Sequence, residues 1–406
     1  MSVVDSLLHN RARFDDSDII ACDYHMYYPY SPSVLGNSDS ISITIQNQDL
    51  LTDISKSYIF VRGKIVKEDG KTVGTATLVN NFVSFLLDEI RYRLGTVEVE
   101  RTRNVGIVST IKNYVLLNPV QSKYLQIAGW HEPNELVKDG VFSALLPLSC
   151  VLGFAEDYKL PIINIRQELT LLRSRTDKDA LFSATAGNSD KIVLDKVGWL
   201  VPHLTLSDES RIKLMKLVAA DKPIQVPFRS WMFLEHPLST NTKDSWTMLT
   251  TSNLQKPKFV IVGLQTDRKN NVTKDNGKFD SCDVQDMKVY LNAQTFSFAS
   301  FEAEFGKNQC LLPYEHYARM KTAFHVDEEA NNYEPLLSYK EFRTNAPLFV
   351  FDTTKTNEHP IDSTIDLRLE YLTSSAVPEN TIANAVVVHD QLFVYHPLSQ
   401  AIKKII

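Results

Sequence analysis

The chain has 406 residues, 43% of them hydrophobic and 23% charged, with a formal net charge of −6. A chain of this length buries two cores rather than one, and no apolar run approaches the roughly 20 residues that span a bilayer. The opening MSVVDSLLHNRARFDDSD lacks the basic-then-apolar order of a secretory signal. Acids and bases are interspersed, Arg11 and Arg13 being offset by Asp5, Asp15, Asp16 and Asp18, so strong direct nucleic-acid binding is not expected. Cys22, Cys150, Cys282 and Cys310 form no Cys-x-x-Cys pair and read as free thiols.

Residues 1–39 read as an N-terminal arm. Tyr24, Tyr27, Tyr28 and Tyr30 stand beside Pro29 and Pro32. Proline disfavours helix and central strand, so the stretch is expected to be extended, and its rings need a partner surface. Two readings are open: a disordered tail, and an assembly arm that docks on its own domain or on a neighbour.

Strands dominate from residue 40. Ile41, Ile43 and Ile45 alternate with Ser42, Thr44 and Gln46, the pattern of a half-buried strand. Residues 58–66 and 75–79 read as strands, and the mostly apolar 82–87 fits helix or strand. Residues 90–94 and 97–100 flank Gly95 as a hairpin. Residues 104–117 place Val108, Ile111, Val115 and Leu116 near one helical face, and Asn118-Pro119 ends the helix. Residues 142–148 and 162–172 return to strand.

Lys191–Leu206, KIVLDKVGWLVPHLTL, sits near the midpoint. It is rich in β-branched and aromatic residues and reads as a long, largely buried strand. Ser207 then caps a helix with Asp208 and Glu209 in its first turn. Ile212, Leu214, Met215, Leu217 and Val218 follow at helical spacing until Pro223 blocks continuation. This gives a first β-domain over 40–206, a linker helix over 207–222 and a second domain over 223–406.

The second half repeats the first. Residues 224–234, 246–251 and 259–265 read as strands, and 289–292 turns into 296–298 as 90–99 turned at Gly95. Residues 313–325 are a helix candidate, and 348–351, 365–372 and 382–394 close the series. NIRQELTLL (164–172) aligns with TIDLRLEYL (364–372) at an offset of 200, and Leu94 falls on Leu291 at 197. A repeat this long is a whole domain. The predicted class is all-β, two consecutive eight-stranded jelly-roll sandwiches with short helices in loops. Alternating strand direction puts the long connections, residues 103–140, 173–190, 266–281 and 300–346, at one end.

No catalytic constellation emerges. The phosphate-loop, dinucleotide, zinc-protease and serine-hydrolase motifs are absent. No two of the ten histidines are separated by a single residue, so the His-x-His pair of metal-binding double sandwiches is missing. Neither a cofactor nor a metal is expected. Trp199, Trp231, Trp246, Phe228 and Phe233 cluster about the midpoint and are assigned to core and inter-domain packing, where large rings fix the geometry of packed sheets.

Several blocks resemble a known family. They are VNNFVSFLLDEIRYRLGTVEVE with the helix after it, LPLSCVLGFAEDYKLPIINIRQELTLLRS, PHLTLSDES, PFRSWMFLEHPL, KFVIVGLQTDRKN and VVVHDQLFVYHPL. Together they are similar to double jelly-roll major capsid proteins, in particular those of Polinton/Maverick elements and adintovirus-like double-stranded DNA viruses, genome-integrated copies included. The resemblance spans about residues 40–400. It implies a structural protein, not an enzyme. It implies homotrimers of pseudo-hexagonal outline that tile an icosahedral virion shell, with a minor or penton protein at the vertices and synthesis in the host cytoplasm. The alternatives are a two-domain sandwich hydrolase and a host-domesticated capsid-derived protein without a virion.

Overall fold

A computed structural model describes residues 19–30, 35–46, 51–251, 256–292, 294–296, 300–325, 334–355 and 365–405. Sixteen principal strands fall into two sets of eight. The first set is β1 (Ile19–Tyr27), β2 (Ser40–Ile45), β3 (Tyr58–Val66), β4 (Leu87–Leu94), β5 (Val97–Arg103), β6 (Val141–Pro147), β7 (Gln167–Arg173) and β8 (Lys191–Leu206). The second is β9 (Ile224–Pro237), β10 (Lys243–Thr251), β11 (Pro257–Thr266), β12 (Val284–Leu291), β13 (Gln294–Phe296), β14 (Leu348–Asp352), β15 (Ile365–Thr373) and β16 (Thr381–His396).

The two sets share one permutation. The first makes a sheet ordered β1-β8-β3-β6 and a sheet ordered β2-β7-β4-β5; the second makes β9-β16-β11-β14 and β10-β15-β12-β13. Each strand has its counterpart eight strands later, and every ladder is antiparallel. Two four-stranded sheets face to face with this order make a jelly roll. Short strands extend the frame: Val137–Lys138 beside β6, Leu51–Thr52 beside β8 and Ala401–Lys404 beside β16.

The sequence repeat is a repeat of register. Gln167 pairs with Leu94 and Leu169 with Tyr92. Their equivalents by the two offsets, Leu367 with Leu291 and Leu369 with Val289, pair in the same way. β7 shows the alternation the sequence carried, with Leu169 and Leu171 fully buried. The hairpin turns match too. Gly95 has φ +59° and its counterpart Asn292 has φ +52°, residues that tolerate the left-handed region a tight turn needs.

One boundary differs from the sequence reading. The stretch assigned to an arm contains β1, whose residues pair with Trp199–Leu206 at the edge of the first sheet. The first roll thus includes Ile19–Tyr27, ahead of the expected boundary at residue 40. Pro29 lies beyond the last paired residue, Tyr27, so it removes no ladder bond. Tyr24 and Tyr27 belong to this strand, and Tyr28 and Tyr30 follow it. Residues 1–18 and 31–34 lie outside the described residues. The ambiguous 82–87 is both kinds of structure: Phe82–Phe85 is a helical turn and β4 starts at Leu87.

Among the described residues three longer helices stand between strands: α1 (Val105–Leu116) after β5, α2 (Asp208–Ala219) between the rolls and α3 (Leu311–Phe324) after β13. The Ser207 hydroxyl accepts the Ser210 N–H to cap α2. α1 and α3 are counterparts, each filling the connection from fifth to sixth strand. The connections leaving odd-numbered strands, which include those long loops, lie at one end of each sandwich. The tight turns at Gly95 and Asn292, and α2, lie at the other.

Candidate assembly surfaces and the seam between the rolls

Among the described residues no three His, Cys, Asp or Glu side chains are placed to hold a metal. Burial pushes the Cys150 thiol up to about 12, far from the range of a nucleophile at neutral pH. The chemistry concentrates instead where the rolls meet.

That seam is built from named pairs. Gly153–Asp157, a single helical turn between β6 and β7, lies against β9. Only glycine fits at its start, because a Cβ on Gly153 would stand 1.8 Å from the Arg229 carbonyl oxygen. At its end Asp157 accepts three bonds from Arg229: the backbone N–H at 2.8 Å, Nε at 2.8 Å and Nη2 at 2.5 Å. The guanidinium also donates to the Phe324 carbonyl at 2.5 Å and lies 3.5 Å over that ring. Burial works to raise the Asp157 pKa, but the bonds and charge of Arg229 more than offset it, and the carboxyl is held below its ordinary value.

Behind this pair, Glu100 on β5 accepts the Gly153 and Phe154 N–H groups at 3.0 and 2.7 Å. Complete burial nevertheless pushes its pKa up to about 7. Lys112 on α1 meets Glu156 at 2.8 Å, donates to the Ser149 carbonyl and stands 5.3 Å from the Trp231 ring centre. Glu156 is raised by burial despite that lysine. Tyrosines complete the seam: Tyr317 donates to the Tyr114 carbonyl, Tyr114 to that of Gly277 and Tyr395 to that of Ile163, at 2.6 to 2.9 Å.

The aromatics singled out in the sequence separate here. Phe228 packs edge-on to Phe154, and Trp231 lies under Lys112 of α1 and beside Gly153, so both sit at the seam. Phe233 lines a polar cleft of about 610 Å³ between the rolls. Trp199 does not reach the seam. It is fully buried within the first roll, edge-on to Tyr92. Trp246 stacks on His236 within the second. The reason is strand parity, since alternate residues of β8 and β10 face their own sandwich. The sequence reading missed Glu100, Lys112, Asp157 and Arg229. Asp157 and Arg229 are 72 residues apart, and no local pattern links them.

The tyrosines of β1 face two ways. Tyr27 Oη lies 2.9 Å from His203 Nε2. Tyr24 is 49% exposed and Tyr30 85%, and Lys196 Nζ lies 4.6 Å from the Tyr28 ring centre. β1 is also the outer strand of its sheet, with no strand on its other side among the described residues.

The topology and the joined pair of sandwiches define a double jelly roll. The model of the double jelly roll-like domain matches residues 76–393, more than half of the chain. The chain belongs to that family. No curated protein matches the sequence. The fold is similar over nearly the whole chain to PBCV-1 VP54, as fitted into a cryo-EM reconstruction of the virophage Sputnik. There the TM-score is 0.62 at 13% identity, covering 98% of this chain and 99% of that one. The Sputnik virophage structure gives 0.61 at 9% identity, covering 97% and 90%. The mavirus major capsid protein gives 0.58 at 10%, covering 94% and 89%.

Proposed function

We propose that the chain is a major capsid protein whose homotrimers, each a ring of six rolls, tile the icosahedral shell of a double-stranded DNA virus or virus-like particle. Its role is structural, not enzymatic, and neither the family nor the fold likenesses support a hydrolase. The quoted sequence blocks favour a Polinton/Maverick or adintovirus-like source. On this reading the protein is made in the host cytoplasm and ends in the virion shell, with a minor or penton protein as a further partner at the vertices.

The observation that carries the trimer is the head-to-tail seam. The first roll offers its loops after β5 and β6, and the second roll receives them on β9 and α3. A heterologous contact of this kind leaves one unused side at each end, and repeated it closes into a ring when its rotation divides a full turn and runs on as a filament when it does not. The unused receiving side is the bare edge of β1. The unused offering side is the part of α3 that bears the exposed Leu311 and Leu312, together with the end of β14, and these frame an apolar recess of about 820 Å³ lined by Phe296, Phe301, Leu312, Met320 and Phe351. Joining such faces is expected to bury more than about 2,000 Å².

Light scattering of the purified chain tests this: the expected mass is three times 46.1 kDa. A folded monomer at micromolar concentration would sink it. Electron microscopy then separates shells from the alternative of a domesticated protein, which would form trimers and no particles.

A further inference from the structure

We propose that the polar cleft between the rolls binds a terminal acidic sugar of the sialic acid class, a single carboxylate on a hydroxyl-rich ring. The cleft, about 610 Å³, has the size of a small-molecule site. Its walls include the segments that leave β5, β7 and β11 and the end of β9, so it opens at the end that carries the long connections. Bonds between the rolls hold these walls in place. Asp179 accepts the Asn270 N–H at 2.6 Å and the Asn276 side-chain amide at 3.1 Å. The Thr176 hydroxyl donates to the Asn270 side chain at 3.1 Å.

Three features of the cleft call for a ligand. The first is the start of α1, whose Gly106 and Ile107 line the cleft. Asn104 precedes this helix without a side-chain cap bond, and the first turn holds no acid. Its leading N–H groups therefore have no acceptor among the described residues, and such a terminus attracts an anion. The second is Arg175, which makes no ion pair among the described residues. Its planar fork suits a carboxylate. The third is independent of charge. Asn384 lines the cleft and is only 3% exposed. Its amide nitrogen donates to Gln265 at 3.1 Å, while its carbonyl oxygen receives no donor among the described residues. A buried acceptor left unpaired is costly, and a ligand hydroxyl would satisfy it.

The charge balance selects the ligand. Arg103 is drawn to Glu89 at 3.3 Å and Lys269 to Glu235 at 2.9 Å, which leaves Arg175 as the uncommitted cation. A nucleoside di- or triphosphate brings more negative charge than one guanidinium and one helix terminus answer, and it would meet Asp88 in the same cleft. A neutral sugar would leave both of those groups unused. An acidic sugar places its carboxylate at Arg175 and the start of α1, its hydroxyls at Asn384, and its apolar face on Phe233 and Ile107. The site lies within one chain, so it does not stand or fall with the trimer. Repeated copies on a shell would add avidity.

Calorimetric titration of the full chain with sialyllactose and, separately, with lactose tests this. Sialyllactose is expected to bind more than about tenfold tighter than lactose, the difference a charge-assisted bond makes. Arg175→Glu, on an exposed loop, should weaken sialyllactose by more than about tenfold. Asn104→Asp puts a carboxylate at the start of α1, in a left-handed conformation that aspartate tolerates. It should weaken sialyllactose as much while keeping or raising the melting temperature. Four outcomes would overturn the proposal: no binding of sialyllactose, lactose binding as tightly, sialyllactose binding that survives both variants, or ADP binding more tightly than sialyllactose.

Discussion

β1 and β9 hold the same place in the two rolls. Each is the first strand, each lies at a sheet edge and each pairs with its roll's last strand. Their surroundings differ. On β9, Ile224, Val226, Phe228 and Trp231 are buried, and the outward N–H of Arg229 is bonded by Asp157 of the other roll. On β1, Ile20 and Tyr24 are exposed. The helices repeat the contrast: every residue of α1 is buried, while Leu311 of its counterpart α3 is 72% exposed. Burial here is set by the neighbour and not by the element. An edge that no strand covers among the described residues and that bears aliphatic and aromatic side chains is a liability for a free protein, which is the reason for proposing a second seam between chains.

The largest effect should come from removing one side of the comparison. A free arm could be deleted without harm to the fold. Deleting residues 1–27 instead strips β1 from β8 and uncovers the edge beside Trp199 and Val201, both fully buried. The expected result is loss of soluble, cooperatively melting protein. A deletion chain with an unchanged melting curve would restore the arm reading.

Next in size is the core that β8 anchors. Trp199→Ala should cost roughly 3–5 kcal/mol, the range for emptying a large aromatic site. Denaturant titration checks it, and a midpoint equal to the parent's would place Trp199 outside the core. The filled seam comes third. Asp157→Ala leaves the Arg229 N–H and one side of its guanidinium without the carboxylate, and because the pair is half-buried and the Phe324 carbonyl remains, the loss should be at most about 3 kcal/mol, the lower end for a buried pair. Asp157→Ala/Arg229→Met should recover part of that loss. A single variant as stable as the parent would mean the seam is held by packing alone.

Most of this frame was legible in the sequence because its signals are local. Alternation gave Ile41–Ile45 and Leu169–Leu171, the serine cap and following Pro223 gave α2, and the 197–200 offset gave the duplication. β1 was not read because Pro29 and Pro32 dominate its neighbourhood. Yet a signal for it was present: if 224–234 opens the second roll, the repeat demands a strand before Ile41. The network of Glu100, Lys112, Asp157 and Arg229 left no such trace. Its members are polar residues on four separate elements, and their pairing exists only once two rolls have folded and met.

Within that network Glu100 adds a pH dependence. Its folded pKa is raised to about 7, so the stability it contributes is full below the ordinary carboxylate range and is lost as pH rises through 7. Relative to Glu100→Gln, the parent should lose stability between about pH 4.5 and pH 7, by at most about 1.4 kcal/mol per pH unit, and level off above that. Parallel melting curves for the two proteins across that window would show that Glu100 does not hold its proton in the folded state.

The smallest effect on stability should be the most decisive for the comparison. Ile20→Lys/Tyr24→Lys alters side chains that already face water, so the melting temperature of the isolated chain should stay within what about 0.5 kcal/mol produces, as for other surface changes. Lysine is the residue that keeps sheet edges from pairing. If the β1 edge is the receiving side of the seam between chains, these two cations must be desolvated against α3 and the recess lined by Phe301 and Phe351 of the next chain, and that cost is large because the acids of the recess are already engaged, Glu315 with Arg319 and Asp352 with Thr354. The variant should therefore run as a folded protein of 46.1 kDa where the parent runs as a trimer. Lysines at the buried Phe228 and Trp231 of β9 should instead unfold the chain itself. A lysine-bearing β1 that still assembles would move the interface elsewhere and leave the two edges different for a reason other than the missing neighbour.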